Sequence, residues 1–189
     1  GDKINARSEM LKAKVPVIPG SDGEVFTAQE ALEIAQDIGY PVMLKASAGG
    51  GGKGIRKVDK KEDLTAAFES ASQEALSAFG NGAMYLEKVI YPARHIEVQI
   101  LGDSFGNIIH LGERDCSLQR NNQKVLEESP SIAIGKTLRG KMGDAAVRAA
   151  KAVAYENAGT IEFLLDEASG QFYFMEMNTR VQVERPSRE

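Results

Sequence analysis

Two bulky, acidic strand patterns near the C-terminal end constrain this chain more than any other feature. They are TIEFLLD (160–166) and QFYFMEMNTRVQVE (171–184). Ser169-Gly170 between them is a turn signal, so the pair is expected to close as a β-hairpin. Pairing the strands sets Glu162 opposite Glu176, with Asn178 two residues on and on the same face. Like charges directly opposed in a sheet are destabilising, so a fold that keeps them generally places a cation between them. Two carboxylates and an amide oxygen suit Mg²⁺ or Mn²⁺, with phosphates completing the shell. The other reading of the same residues is a shifted register with one glutamate in solvent.

The remainder of the chain is ordinary in size and composition. Its 189 residues, 42% hydrophobic and 26% charged, support one domain or a domain with a subdomain. A net charge of −4, dispersed along the chain, argues against non-specific binding of nucleic acid or anionic membrane. No run of about 18 apolar residues is present, so no membrane span is expected. The opening GDKINARSEMLK has no apolar signal-peptide core. Cys116 is the sole cysteine, which excludes an internal disulfide and fits a reducing, cytoplasmic setting.

The pattern predicts an α+β organisation. A short helix is expected from Asp2 to about Ala13, then a turn-rich connector at 19–23. Thr27-Ala28-Gln29-Glu30 has capping-box spacing and opens a helix that Gly39 should close. A strand (41–47), a glycine loop (49–54) and a second strand (55–59) follow. The next helix, over 61–79, carries Leu64, Ala67, Phe68, Ala71, Ala75 and Leu76 on its apolar face. A strand at 83–90 completes a βαβ-like unit. From Arg94 the pattern becomes antiparallel. HIEVQI (95–100) alternates, burying Ile96, Val98 and Ile100 and aligning His95, Glu97 and Gln99. Asp103–Asn107 turns into NIIHLGERDCS, a polar loop spans 117–123, and a long helix over 136–157 turns Met142, Ala146, Ala149 and Val153 inward. His110 reads as a packed or surface histidine.

Gly49 to Gly54 satisfies G-x-G-x-x-G, but a strand follows where a dinucleotide fingerprint needs a helix. It is not a Walker A loop either, since Lys53 precedes Gly54 rather than Ser or Thr. What remains is a glycine hairpin whose backbone N–H groups can cover polyphosphate, with Lys45 on the strand leading in. A plain hairpin tip is the alternative, although four consecutive glycines are costly for a turn.

Taken together, KASAGGGGKGIR (45–56), EKVIYPARHIEVQILGD (87–103), ERDCSLQRNNQK (113–124), EESP (127–130), GTIEF (159–163) and EMNTRVQVE (176–184) resemble the ATP-grasp superfamily, and biotin carboxylase within it. The resemblance covers essentially the whole chain. It implies an ATP-grasp fold in which 17–90 is a small α/β lid and 1–16 with 91–189 form the main antiparallel core, with ATP between them. It implies that Lys3 and Lys45 touch the phosphates under Gly51 and Gly52. Glu87, Lys88, Val89 and Ile90 would face adenine, His95 would reach the ribose, and Gln119 and Asn122 would lie beside the nucleotide. Glu162 and Glu176, assisted by Asn178, would hold Mg²⁺ or Mn²⁺. Lys124, Arg180, Gln182, Val183 and Glu184 would form the bicarbonate and biotin end. There Glu184 acts as general base on bicarbonate, carboxyphosphate forms, and Arg180 stabilises the biotin anion.

The implied partners are bicarbonate, a biotin carboxyl carrier protein and a carboxyltransferase. The implied parent is a homodimeric bacterial acetyl-CoA carboxylase subunit. The chain departs from the pattern at Asn122, where the family has histidine, and at Arg185–Glu189, where it has HPVTE. The family also has domains before Gly1 and after Glu189, so apolar patches and concentration-dependent association are expected of this stretch alone. Two other readings stay open: a carbamoyl-phosphate synthetase type of ligase that also activates bicarbonate, and a nucleotide-binding module without turnover.

Overall fold

In the computed structural model, residues 3–48, 53–120 and 123–179 are described. The chain divides into two compact units, Gly1–Val17 with Ile90–Glu189 and Ile18–Val89. Helix α1 (Lys3–Lys12) opens the first unit and stops where Lys14 takes a φ of 57°.

The unit 18–89 begins with α2 (Ala28–Ile38), whose first turn shows why the sequence starts a helix there. Thr27 Oγ1 accepts the Glu30 N–H at 3.2 Å, and the Glu30 carboxylate accepts the Phe26 N–H at 3.1 Å. Gly39 ends the helix at φ 78°, donating its N–H to Ala35 O. Strands β1 (Val42–Ala46) and β2 (Ile55–Val58), helix α3 (Lys61–Phe79) and strand β3 (Met84–Lys88) follow. The sheet order is β2-β1-β3 with both pairings antiparallel. The βαβ-like expectation therefore holds in a split form: β2 and β3 run parallel, joined by α3, with β1 between them. Val42, Leu44 and Ala46 point into a core shared with Leu64, Phe68, Ala71 and Ala75 of α3. Leu76, expected on the same helix face, is instead 50% exposed.

The second unit is built on a four-stranded antiparallel sheet, β4 (Ala93–Gly102), β5 (Ile108–Asp115), β8 (Asn157–Asp166) and β9 (Phe172–Asn178), in the order β5-β4-β8-β9. Between β5 and β8 the chain makes a small hairpin, β6 (Gln119–Arg120) and β7 (Gln123–Lys124), then helix α4 (Lys136–Ala152). One sheet face carries Ile96, Val98, Ile100, Ile161, Phe163 and Leu165 against the alanines and Met142 of α4. Small residues let the helix sit close: the His110 ring lies where a Cβ on Gly143 would come within 2.5 Å of it.

Helix α4 is shorter than the expected 136–157. Ala154 (φ 48°) and Asn157 (φ 83°) turn the backbone into the left-handed region, and β8 starts at Asn157. Val153 is consequently 47% exposed rather than inward. Within the expected polar loop at 117–123, Gln119 and Arg120 pair with Lys124 and Gln123 as β6 and β7. No helix among the described residues is long and apolar enough to cross a membrane.

Gly54 sits at φ +67°, and a Cβ there would lie 2.7 Å from the Ala46 Cβ and 3.4 Å from the Ala75 Cβ. Replacing Gly54 by alanine is expected to cost about 1–3 kcal/mol of stability, from left-handed strain plus overpacking. Urea denaturation of Gly54→Ala beside the parent chain measures this, and an unchanged midpoint would contradict it.

Candidate functional site

The face of the four-stranded sheet opposite α4 carries a row of charge. Cross-strand registers align Arg114 of β5 with Glu97 of β4, Glu97 with Glu162 of β8, and Glu162 with Glu176 of β9. Three glutamates side by side would repel one another and unfold the ladder unless cations intervene. Two do. Arg114 donates to one oxygen of Glu97, which is 1% exposed, and Lys124 Nζ donates to the other oxygen and to Glu162 Oε1. Asn178 Nδ2 also donates to Glu162 Oε1, at 2.8 Å. Arg114 is held further by Gln99 Oε1 at 3.3 Å and by Glu127 at 3.4 Å. Glu176, at the end of the row, is exposed.

The Glu162–Glu176 pairing is the expected one, but it is reached through a bulge. Leu165 pairs with Phe172, Leu164 with Tyr173 and Phe163 with Phe174, and the register then slips so that Glu162 meets Glu176 and Thr160 meets Asn178. Met175 is the extra residue.

Opposing effects set the protonation of these groups. Burial pushes the Lys124 ammonium down, but its bonds to Glu162 and Glu97 outweigh that and raise it above the ordinary lysine value. Burial holds His95 below the ordinary histidine value, against the pull of Glu162, so the imidazole is neutral at pH 7. Burial, with Glu97 and Glu127 nearby, pushes the Cys116 thiol up to about 12. Behind the row, Asp115 is pushed up by burial but held below the usual carboxylate range by Ser117 and Arg94. Glu113 is clamped by Arg139 Nε at 2.8 and 2.9 Å, which ties β5 to the start of α4.

The structure thus brings Glu162, Asn178 and Lys124 into contact, with Glu176 paired across from Glu162, and His95 feels Glu162, Lys124 and Glu176 electrostatically. Gln119 turns its amide to Cys116 O at 3.1 Å, bracing its own loop. In the unit 18–89, Lys45 is ion-paired with Glu87 and lies 5.9 Å from the Tyr85 ring centre. Lys88 Nζ caps the end of α2 through Gly39 O (2.9 Å) and Tyr40 O (2.8 Å). The backbone N–H groups of Lys88 and Val89 are bound to Pro19 O and Pro41 O. Ile90 begins the second segment of the other unit. Gly51, Gly52, Asn122, Arg180, Gln182, Val183 and Glu184 lie outside the described residues, as does the side chain of Lys3.

Sequence reasoning missed the Glu97–Arg114 pair. The alternation of HIEVQI put Glu97 on the polar face with His95 and Gln99, and only the β4–β5 register, which no local pattern fixes, joins it to Arg114. Lys124, assigned to the far end of the site, is the cation that sits between Glu97 and Glu162. Among the described residues no cluster of three or more His, Cys, Asp or Glu side chains is placed to hold a metal by itself. A cation at Glu162 and Glu176 therefore completes its shell with oxygens from elsewhere, water in the free chain or substrate phosphates.

Residues 2–189 match the family described as the carbamoyl-phosphate synthase L chain, ATP binding domain. The chain belongs to that family. It is 62% identical over 186 residues to a biotin carboxylase of Nostoc sp., covering 98% of this chain and 41% of that protein. A biotin carboxylase from Campylobacter jejuni, solved as a β-γ-ATP complex, superposes with a TM-score of 0.83 at 57% identity, over 97% of this chain and 41% of that one. The biotin carboxylase domain dimer of the Hydrogenobacter thermophilus 2-oxoglutarate carboxylase, solved with MgADP, ADP and bicarbonate, gives 0.82 at 53% identity, over 97% of this chain and 40% of that one. The chain thus spans about two fifths of the relatives it matches, and the antiparallel sheets and helices are those of the ATP-grasp structures among them.

Two expectations follow from the charged row. Glu97→Ala takes a buried carboxylate away from both Arg114 and Lys124 and should cost about 3–5 kcal/mol, read by chemical denaturation. Loss of under about 1 kcal/mol would place Glu97 among ordinary surface ion pairs. The Cys116 thiol, buried and held neutral, should resist a thiol-specific reagent at pH 8 in the native chain and react promptly in denaturant.

Proposed function

We propose that this chain is the nucleotide-binding region of a biotin carboxylase, an ATP-dependent ligase that carboxylates carrier-bound biotin with bicarbonate. The observation that carries the proposal is the pairing of Glu162 across from the exposed Glu176, with Asn178 Nδ2 on Glu162 Oε1. Two carboxylates opposed on one sheet face are chemically suited to a hard divalent cation that brings its own phosphate oxygens. The donor set therefore fits Mg²⁺ or Mn²⁺, with Glu162 and Glu176 as ligands and Asn178 orienting Glu162. Such a cation would offset the negative charge that builds up in phosphoryl transfer.

The chain's own residues would do the rest. Lys45 and Lys3 would engage phosphates, and His95, neutral at pH 7, would offer a hydrogen bond to a ribose without adding charge. Glu87, Lys88, Val89 and Ile90 would border the adenine, Gln119 and Asn122 the rest of the nucleotide, under Gly51 and Gly52. Lys124, Arg180, Gln182, Val183 and Glu184 would handle bicarbonate and biotin, with Glu184 withdrawing the bicarbonate proton and Arg180 stabilising the biotin anion through its fixed planar charge. The match to proteins named biotin carboxylase, and the crystallised relatives with MgADP and bicarbonate, support this over a carbamoyl-phosphate synthetase chemistry. We propose a cytoplasmic, homodimeric parent, in the manner of a bacterial acetyl-CoA carboxylase subunit, served by a biotin carrier protein and a carboxyltransferase.

Calorimetric titration of MgATP tests the reading directly. The chain should bind with micromolar to low-millimolar affinity, and only when Mg²⁺ is present. Glu176→Gln, an exposed substitution that leaves the melting temperature unchanged, should weaken that binding at least about tenfold. Binding that is equally tight in Glu176→Gln, or indifferent to Mg²⁺, would remove the acidic hairpin from the nucleotide site.

A further inference from the structure

Lys124 is placed in the structure as a bridge. Its ammonium donates at once to Glu97 and to Glu162, and it lies largely buried between them. Its two partners are not equally dependent on it. Glu97 has a second cation, Arg114, on its other oxygen, whereas the hydrogen bonds to Glu162 from Lys124 and Asn178 both end on one oxygen, Oε1. Losing Lys124 from Glu162 therefore leaves Glu97 with both cations and Glu162 with a neutral amide only.

A divalent cation on Oε1 of Glu162 would lie within about 5 Å of the ammonium, where the repulsion is strong in a site partly shielded from water. The ammonium and the metal are thus rivals for one carboxylate.

We propose that Lys124 is an exchangeable internal counter-ion. It occupies Glu162 when the site holds no metal, and a divalent cation displaces it onto Glu97. This rests on the reading of Glu162 as a metal ligand. The displacement has a second effect: an N–H of Lys124 that was bound to Glu162 is released and becomes a donor for a small anion. Loading of the cation and capture of an oxyanion are coupled through one side chain, and the anion's donor is occupied until the cation arrives. Glu97 serves as the tether that keeps the displaced ammonium in the site, a positioning role that its burial and double neutralisation suit.

The test uses Mn²⁺ alone, followed by electron paramagnetic resonance, on the full chain and on Lys124→Met. The exchange predicts roughly tenfold tighter Mn²⁺ binding in Lys124→Met, because the rival cation is gone. Adding Glu162→Gln to that variant should abolish the gain. In parallel, the ¹³Cε resonance of Lys124 in the unsubstituted chain should shift when Mg²⁺ saturates the site, which reads the displacement without any variant. Equal or weaker Mn²⁺ affinity in a folded Lys124→Met, or a Lys124 resonance indifferent to bound Mg²⁺, overturns the exchange and leaves the metal site standing. Absence of Mn²⁺ binding in both proteins overturns the exchange and the metal reading together. If Lys124→Met does not fold, the resonance decides by itself.

Discussion

A carboxylate in the middle of a sheet, almost sealed from water, organises the larger unit of this protein. An unpaired carboxylate would be costly there, and Glu97 is instead paired with two cations that reach it from different parts of the chain. Arg114 arrives from the neighbouring strand. Lys124 arrives from the β6–β7 pair. Removing the charge from Glu97 would leave Arg114 to Gln99 and Glu127, and Lys124 to Glu162. The interaction earns little stability in net terms, since desolvation of the ions offsets their attraction. Its contribution is geometric, since it fixes where the β6–β7 hairpin lies over the sheet and which carboxylates face each other.

The two units share a habit in this respect. Two of the lysines proposed to meet anions, Lys45 and Lys124, are each paired with carboxylates of their own unit: Glu87 for the first, Glu97 and Glu162 for the second. Such pairing keeps a cluster of like charge from destabilising a fold before its ligand arrives. It also means that ligand binding there is an exchange of partners, and its free energy is a difference between two ion pairs rather than the full strength of either.

Much of this was legible in the sequence, and the parts that were not have a common cause. Thr27, Glu30 and Gly39 announced α2 because caps are local chemistry. Ser169-Gly170 announced the hairpin, and the alternation around Ile96 gave the buried face of β4. The Glu97–Arg114–Lys124 arrangement was illegible because it depends on the registers of three separate pairings, none encoded by neighbours in the chain. The end of α4 was misjudged because Tyr155 and Val153 continue the helical pattern while Ala154 and Asn157 adopt left-handed backbone, and alanine gives no warning of that. Leu76 was misplaced because a helix has more apolar positions than its sheet can cover.

The bulge at Met175 has a consequence for how strand β9 is written. Phe172 and Phe174 point to the core, so continued alternation would send Glu176 and Asn178 there too, as all four are even-numbered. One unpaired residue acts as a frameshift in facing. The same parity spells oil before Met175 and charge after it, and Met177 takes over on the apolar side. Restoring perfect pleating by drawing Met175 into regular pairing opposite Glu162 would not tidy the sheet. It would turn every downstream side chain inside out, sending a carboxylate and an amide into hydrocarbon and a methionine towards the acidic row.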